Sequence, residues 1–286
     1  MVRLRVALFA AALPLSVQAQ WSPQLEGGVV HDSNFSRAQH AEDRIADTAV
    51  MLGAATERAL PTAADLIVGA AARLARYVHS DGASYAAADL TGAWRGKLGL
   101  GLTAPWYAVR GSAGVENARE EVRDALRYAF SAAAGRRSDP RLEGSAGFAY
   151  DRRVQRADLP MVPGFGGKPF SLQGRTLFAR ASYAIGDDVA LLGSASVRKG
   201  DVESSTRRNF TIFSASNAIS TDPALGPDFI AYRLSGARSA TLSAGVSWQL
   251  GRHAALEATA ARADTAAGEG LDYVNRIYAV TLVYRP

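Results

Sequence analysis

RLEGSAGFAYDRRV, residues 141–154, alternates apolar and polar side chains with a period of two. Leu142, Ala146, Phe148 and Tyr150 share one parity; Arg141, Glu143, Ser145, Asp151 and Arg153 share the other. Successive side chains of a strand point to opposite faces, so the segment has one greasy face and one charged face. The same alternation recurs over 24–31, 46–58, 66–78, 85–97, 98–115, 122–134, 175–185, 189–198, 231–250, 255–263 and 275–285. No helical period of any length lies between these segments. About twelve such strands in one chain predict an all-β, up-and-down antiparallel transmembrane β-barrel.

The connections sharpen that reading. Tight turns fall at Leu60-Pro61-Thr62, the Lys97-Leu98 junction, Ser138-Asp139-Pro140, Gly186-Asp187-Asp188 and Gly251-Arg252-His253, whereas 155–174 and 200–230 are long. Short periplasmic turns and long external loops are the outer-membrane pattern, which puts the N- and C-termini in the periplasm. A soluble β-sandwich also alternates, but it does not sort its connections this way. Pro105 cannot donate to a ladder, so a bulge or strand end is expected within 98–115. The 155–174 loop holds Pro160, Pro163-Gly164, Gly166-Gly167 and Pro169 and reads as irregular. Both long loops are expected to stand above the membrane rather than fold inward.

Ahead of the first strand, Arg3 and Arg5, the apolar run Val6–Leu15 and the small-residue site Val17-Gln18-Ala19 make residues 1–19 a secretory signal peptide. Residues 20–286 then form a single barrel domain. The apolar run is too short to cross a bilayer, which takes roughly 20 apolar residues as a helix. A mean hydropathy of −0.04 is too polar for a helical membrane protein but suits a barrel, half of whose strand residues face water. The formal charge of +5 is modest, and no basic run interleaved with aromatics accompanies it, so no nucleic acid partner is expected. With no cysteine there is neither a disulfide framework nor a thiolate metal site. No metal and no other cofactor is expected.

Trp21, Trp94, Trp106, Trp248, Tyr150, Tyr183, Tyr232, Tyr278 and Tyr284 mostly share the apolar parity near strand ends, as the aromatic girdles of a barrel do. In the last strand Tyr278, Val280, Leu282 and Tyr284 line one face, and the segment resembles the C-terminal assembly signal of bacterial outer-membrane proteins. Arg285-Pro286 extends beyond the usual final aromatic. Near the other end, His31-Asp32-Ser33-Asn34-Phe35 leaves the first strand, and its Asp-Ser-Asn box resembles one in porin-like barrels of Gram-negative bacteria, some tied to polysaccharide export or surface-protein secretion. The resemblance implies a bacterial outer membrane, with lipopolysaccharide and the outer-membrane assembly machinery as surroundings. The same three residue types also cap turns locally by bonding nearby backbone.

If the polar parity faces inward, the lumen receives Arg73, Arg95, Lys97, Arg123, Arg127, Arg141, Arg153, Arg180 and Arg198 against Glu26, Asp89, Glu143, Asp151 and Glu257. A basic excess in a narrow aqueous pore favours anions. The expectation is a porin-like channel for passive passage of small polar or anionic solutes. The same arginines could instead form a salt-bridge lattice that fills the modest lumen of twelve strands. That gives a second reading, a closed structural or assembly barrel of a polysaccharide or surface-protein export system with a periplasmic export partner.

A third reading is an outer-membrane lipid hydrolase, which needs a serine, a histidine base and an orienting group. His31-Asp32-Ser33 and His79-Ser80-Asp81 supply the residue types, but neighbours in a strand diverge, and His79 has the lumen parity. His40 and His253 fall in connections. No enzyme activity is expected, and no phosphate loop or metal spacing is present.

Overall fold

The computed structural model describes residues 21–60, 66–268 and 271–286. The leader read at 1–19 lies outside them, as do Pro61 and Thr62. Thirteen strands make one sheet: β1 (Trp21–Asp32), β2 (Asp47–Ala59), β3 (Leu66–Tyr77), β4 (Tyr85–Lys97), β5 (Trp106–Ala118), β6 (Ala125–Arg137), β7 (Leu142–Gln155), β8 (Leu172–Ala184), β9 (Val189–Thr206), β10 (Ala218–Thr221), β11 (Ile230–Gln249), β12 (Ala254–Ala266) and β13 (Asp272–Tyr284). One short helix, α1 (Phe210–Ala215), precedes β10.

Every neighbouring pair is antiparallel. β9 pairs directly with β11, and β1 pairs with β13 from Leu25↔Tyr284 to Asp32↔Ile277. Because β10 pairs only with β11, the wall is a closed barrel of twelve strands. Closure leaves no free strand edge, so the wall satisfies its backbone groups internally, as a hydrocarbon surrounding requires.

The alternation is realised as read. Leu52, Leu74, Leu90, Leu177, Val197 and Leu242 project outward and are each at least half exposed. So continuous an apolar outer surface would aggregate in water and is stable against lipid acyl chains. Near the end that carries Trp21 and Pro286, Trp94 and Tyr107 meet edge to face at 5.2 Å on the outer surface. Trp248, Tyr183 and Tyr284 stand exposed at the same end. A closed barrel with this belt is an outer-membrane architecture and places the chain in a bacterial outer membrane.

Four expectations need correction. The strand expected over 98–115 begins at Trp106 instead. Residues 98–105 form the β4–β5 turn, in which Gly99 and Gly101 hold φ of 105° and 100°, left-handed values that glycine adopts without strain. Leu98, Leu100 and Leu102 are therefore exposed turn residues, and Trp106 faces inward, where its indole N–H donates to Glu143 Oε1 at 3.2 Å. The strand expected over 122–134 is displaced to 125–137, leaving Val122 and Arg123 in a single 3-10 turn. Tyr232 belongs to no girdle; it is buried.

The fourth correction concerns the long loops. β9 and β11 run past the barrel wall as a hairpin, pairing from Val202↔Leu234 to Thr206↔Ile230. Their register breaks between Leu234 and Ala237, where Gly236 takes φ 73°, and a bulge of this kind bends a ribbon. Residues 202–206 are consequently buried on both faces. They lean over the barrel mouth and carry the 207–229 segment across it. This segment reaches the β3–β4 link on the far side of the ring: a Cβ on Gly82 would lie 2.8 Å from Ala224 Cα.

Candidate functional site: the lumen and its cap

Inside the barrel lies a cavity of about 680 Å³. One wall is charged. Arg73 on β3 pairs with Asp89 on β4 at 2.6 Å; Arg127 on β6 lies 4.0 Å from Asp89 and 3.6 Å from Glu116 on β5. Arg153 on β7 reaches the same Glu116 at 2.7 Å, and Arg198 on β9 holds Asp151 on β7 at 2.9 Å. Deeper in, Arg110 on β5 pairs with Glu57 on β2. The facing wall offers Ser239, Thr241, Ala263 and Thr265 from β11 and β12. Hydroxyl pairs knit that side, Ser194 to Ser243 at 2.7 Å and Ser239 to Thr265 at 2.8 Å. The solvent path therefore runs between a ladder of paired charges and a small, neutral surface.

The residues expected in the lumen separate into three groups. Arg73, Asp89, Arg127, Asp151, Arg153 and Arg198 line the cavity together. Glu26, Arg95, Lys97, Glu143, Arg180 and Glu257 have the inward parity but sit nearer the end that carries the termini and do not border it. There Arg180 lies over the Phe178 ring at 4.8 Å, Glu143 meets Arg137 at 3.3 Å, and Arg95 has no ion-pair partner among the described residues. The last group is misplaced. Arg141 is exposed in the turn before β7, its N–H bonded to Asp139. Arg123 is in the cap.

Sequence reasoning missed Arg110, Glu57 and Glu116. Glu57 lies on the inward parity of 46–58 and was legible there; Pro105 blurred the phase of the segment that holds Arg110 and Glu116. With these acids included and Arg123 and Arg141 removed, the basic excess of the barrel interior nearly vanishes.

The cap is built around Arg123. Its guanidinium grips Asp222 with two bonds, Nε to Oδ1 at 3.0 Å and Nη2 to Oδ2 at 2.6 Å, and lies 3.8 Å from Glu203. It also stacks 4.4 Å from the centre of the Phe170 ring. Asp222 is fully buried and takes a further bond from Ser205 Oγ at 2.6 Å. Burial works against the Arg123 charge, but Asp222 and Glu203 outweigh it and raise its pKa. Glu203 also pairs with Arg37 from the β1–β2 link and holds that guanidinium above its usual range. The Ser205 N–H donates to Ser36 O at 2.9 Å. Strand extension, turn and loop from four links thus meet over the mouth. In the same cap Val202, Ile212, Ile219, Ile230, Tyr232 and Leu234 form an apolar cluster of buried side chains.

The Asp32-Ser33-Asn34 box does local work. Asp32 Oδ1 accepts from the Asn34 N–H at 2.9 Å, and its two carboxylate oxygens accept from Asn275 Nδ2 at 2.8 and 3.0 Å. Asn34 bonds the Ala38 backbone in both directions, and Ser33 Oγ accepts the Arg276 N–H. The box folds the first link and ties it to β13. As for the histidines, His79 lies outside its strand rather than in the lumen, with Nδ1 3.3 Å from Asp47. His31 Nδ1 is 3.0 Å from Thr48 Oγ1. No histidine is hydrogen-bonded to a serine hydroxyl among the described residues. No cluster of three or more His, Asp or Glu is placed for a metal ion there either.

No protein-family model matches the chain, and no curated protein matches it. Solved structures do. An outer-membrane channel from Pseudomonas putida F1 is 10% identical with a TM-score of 0.55, over 96% of this chain and 97% of that one. The KdgM porin, solved with disordered oligogalacturonate, is 8% identical with a TM-score of 0.45 over 91% and 98% of the two chains. The NanC porin is 9% identical with a TM-score of 0.45 over 92% and 100%. What the channel from P. putida shares with this chain is the fold.

Proposed function

We propose that the protein is a porin-like channel for passive passage of small polar or anionic solutes, with tight turns and termini in the periplasm and the cap facing outward. The observation that carries this reading is the cavity of about 680 Å³, whose wall is lined with arginine–carboxylate pairs rather than packed with apolar side chains. Paired arginines leave guanidinium N–H groups free for a passing anion, so a lattice of this kind can line a path as well as block one. The kinship of fold with a channel supports the same reading. We further propose that the protein has no catalytic role, since among the described residues no serine, histidine and third group stand in a productive relay.

The cap favours the second reading, a closed structural or assembly barrel of an export system, because it covers the mouth with buried contacts. Conductance separates the two. The full chain is refolded into a planar bilayer under a salt gradient, beside a variant in which residues 207–229 are replaced by a short glycine–serine turn. Current steps that grow severalfold without the cap are the expected outcome. Silence from both folded barrels would establish the closed structural barrel instead.

A further inference from the structure

A second concavity lies on the cap, between α1 and the 156–171 link. It measures about 610 Å³ and shares no lining residue with the lumen. Its floor is Ile219, Ile230 and Tyr232, all buried, and its walls are Phe210, Phe213 and Met161. The Phe210 and Phe213 rings stack at 6.3 Å, yet Phe210 remains 84% exposed. An apolar surface so open to solvent is costly unless something occupies it.

Membrane lipid does not account for this surface. Tyr232 precedes Arg238, the first β11 residue to join β12 in the wall, by six positions, roughly 20 Å of strand. The cleft therefore belongs to the cap rather than to the outer belt. One charge borders it, that of Arg208, and no carboxylate does. The cap arginines Arg37, Arg123, Arg207 and Arg233 are all hydrogen-bonded or ion-paired, whereas Arg208 has no hydrogen bond or ion pair among the described residues. Asn209 is spent as the helix cap, accepting from the Ile212 N–H at 3.2 Å. A free guanidinium at the rim of an aromatic cleft, with no acid in reach, matches an apolar molecule that ends in a carboxylate.

We infer that the cleft binds a small amphiphilic anion from the outside medium, an aryl or medium-length alkyl chain with one carboxylate. The chain lies on Ile219, Ile230 and Tyr232 beside the two phenylalanine rings, Met161 adapts to its shape, and Arg208 pairs with the headgroup. The site stands whether or not the lumen conducts.

The test uses the full-length barrel in lipid nanodiscs, titrated calorimetrically with 6-phenylhexanoate and with its neutral amide, against empty discs. Saturable binding of the carboxylate is expected, weakened roughly tenfold by Arg208→Gln, with the amide indifferent to that change. Phe210→Asp, at an exposed position that does not threaten the fold, removes binding of both. Heat released no differently from empty discs, or unaltered by Phe210→Asp, would overturn the site. Equal affinity for amide and carboxylate in the unaltered protein would overturn its preference for anions. Competition by added lipopolysaccharide would assign the cleft to a lipid and overturn the proposal of a free solute.

Discussion

Arginine–carboxylate pairs stand both on the lumen wall and in the cap, and Arg198–Asp151 on the wall and Arg123–Asp222 in the cap differ in their water. On the wall, Arg198 and Asp151 are 24% and 48% exposed; in the cap, Arg123 and Asp222 are 12% and 0% exposed. A wet pair gains little net energy, because solvent screens it and its side chains lose freedom. A dry pair contributes little beyond the cost of its own desolvation, yet breaking it strands a buried charge. The same chemistry therefore does two jobs: on the wall it supplies polarity along a path, and in the cap it fixes one arrangement of four links.

The cap is where that contrast can be broken most sharply. Asp222→Ala leaves the Arg123 guanidinium without its main partner, a loss of about 3–5 kcal/mol by the behaviour of buried pairs. Hydrogen exchange should show it. The Ser205 and Ile219 amides, bonded to Ser36 and Gly166, should lose their protection. The Thr241 amide in the wall should keep its own. Equal loss in both places would mean that cap and wall melt as one unit.

On the wall the expected effect is on selectivity rather than on folding. Arg110→Gln with Arg127→Gln leaves Glu57, Glu116 and Asp89 under-compensated, so the reversal potential should move toward cations. The barrel should still form, because these pairs are partly exposed. A reversal potential that does not move would show that solutes take no path along this wall. The smallest effect is expected on the neutral side. Ser194→Ala removes one partly buried hydroxyl pair, at a cost of about 1 kcal/mol or less. It should leave both selectivity and conductance unchanged.

Much of the barrel was legible in the residues because a two-residue period leaves little choice of face once one face meets lipid. That is why Arg73, Asp89, Arg127, Asp151, Arg153 and Arg198 were found, each on the inward parity of a clean strand. The reading failed where period gives no information. Pro105 and the glycines before it hide the start of β5, and with it the phase of Trp106, Arg110 and Glu116. Arg123 continues the parity of Arg127 in sequence, but the 3-10 turn between them breaks the pleat. The cap was invisible for a deeper reason. Its contacts, Arg123 with Asp222 and Arg37 with Glu203, join residues far apart in sequence that only ring closure brings to one mouth. Glycine and proline clusters in 155–174 mark irregular backbone without saying which way it folds.

The measurement to make is the single-channel conductance of Asp222→Ala beside that of the unaltered protein, in the same bilayer and salt. If the dry pair holds the mouth covered, the variant should pass larger or more frequent currents while its barrel stays folded. Identical currents and open times from the two folded barrels would contradict a cap that controls the lumen.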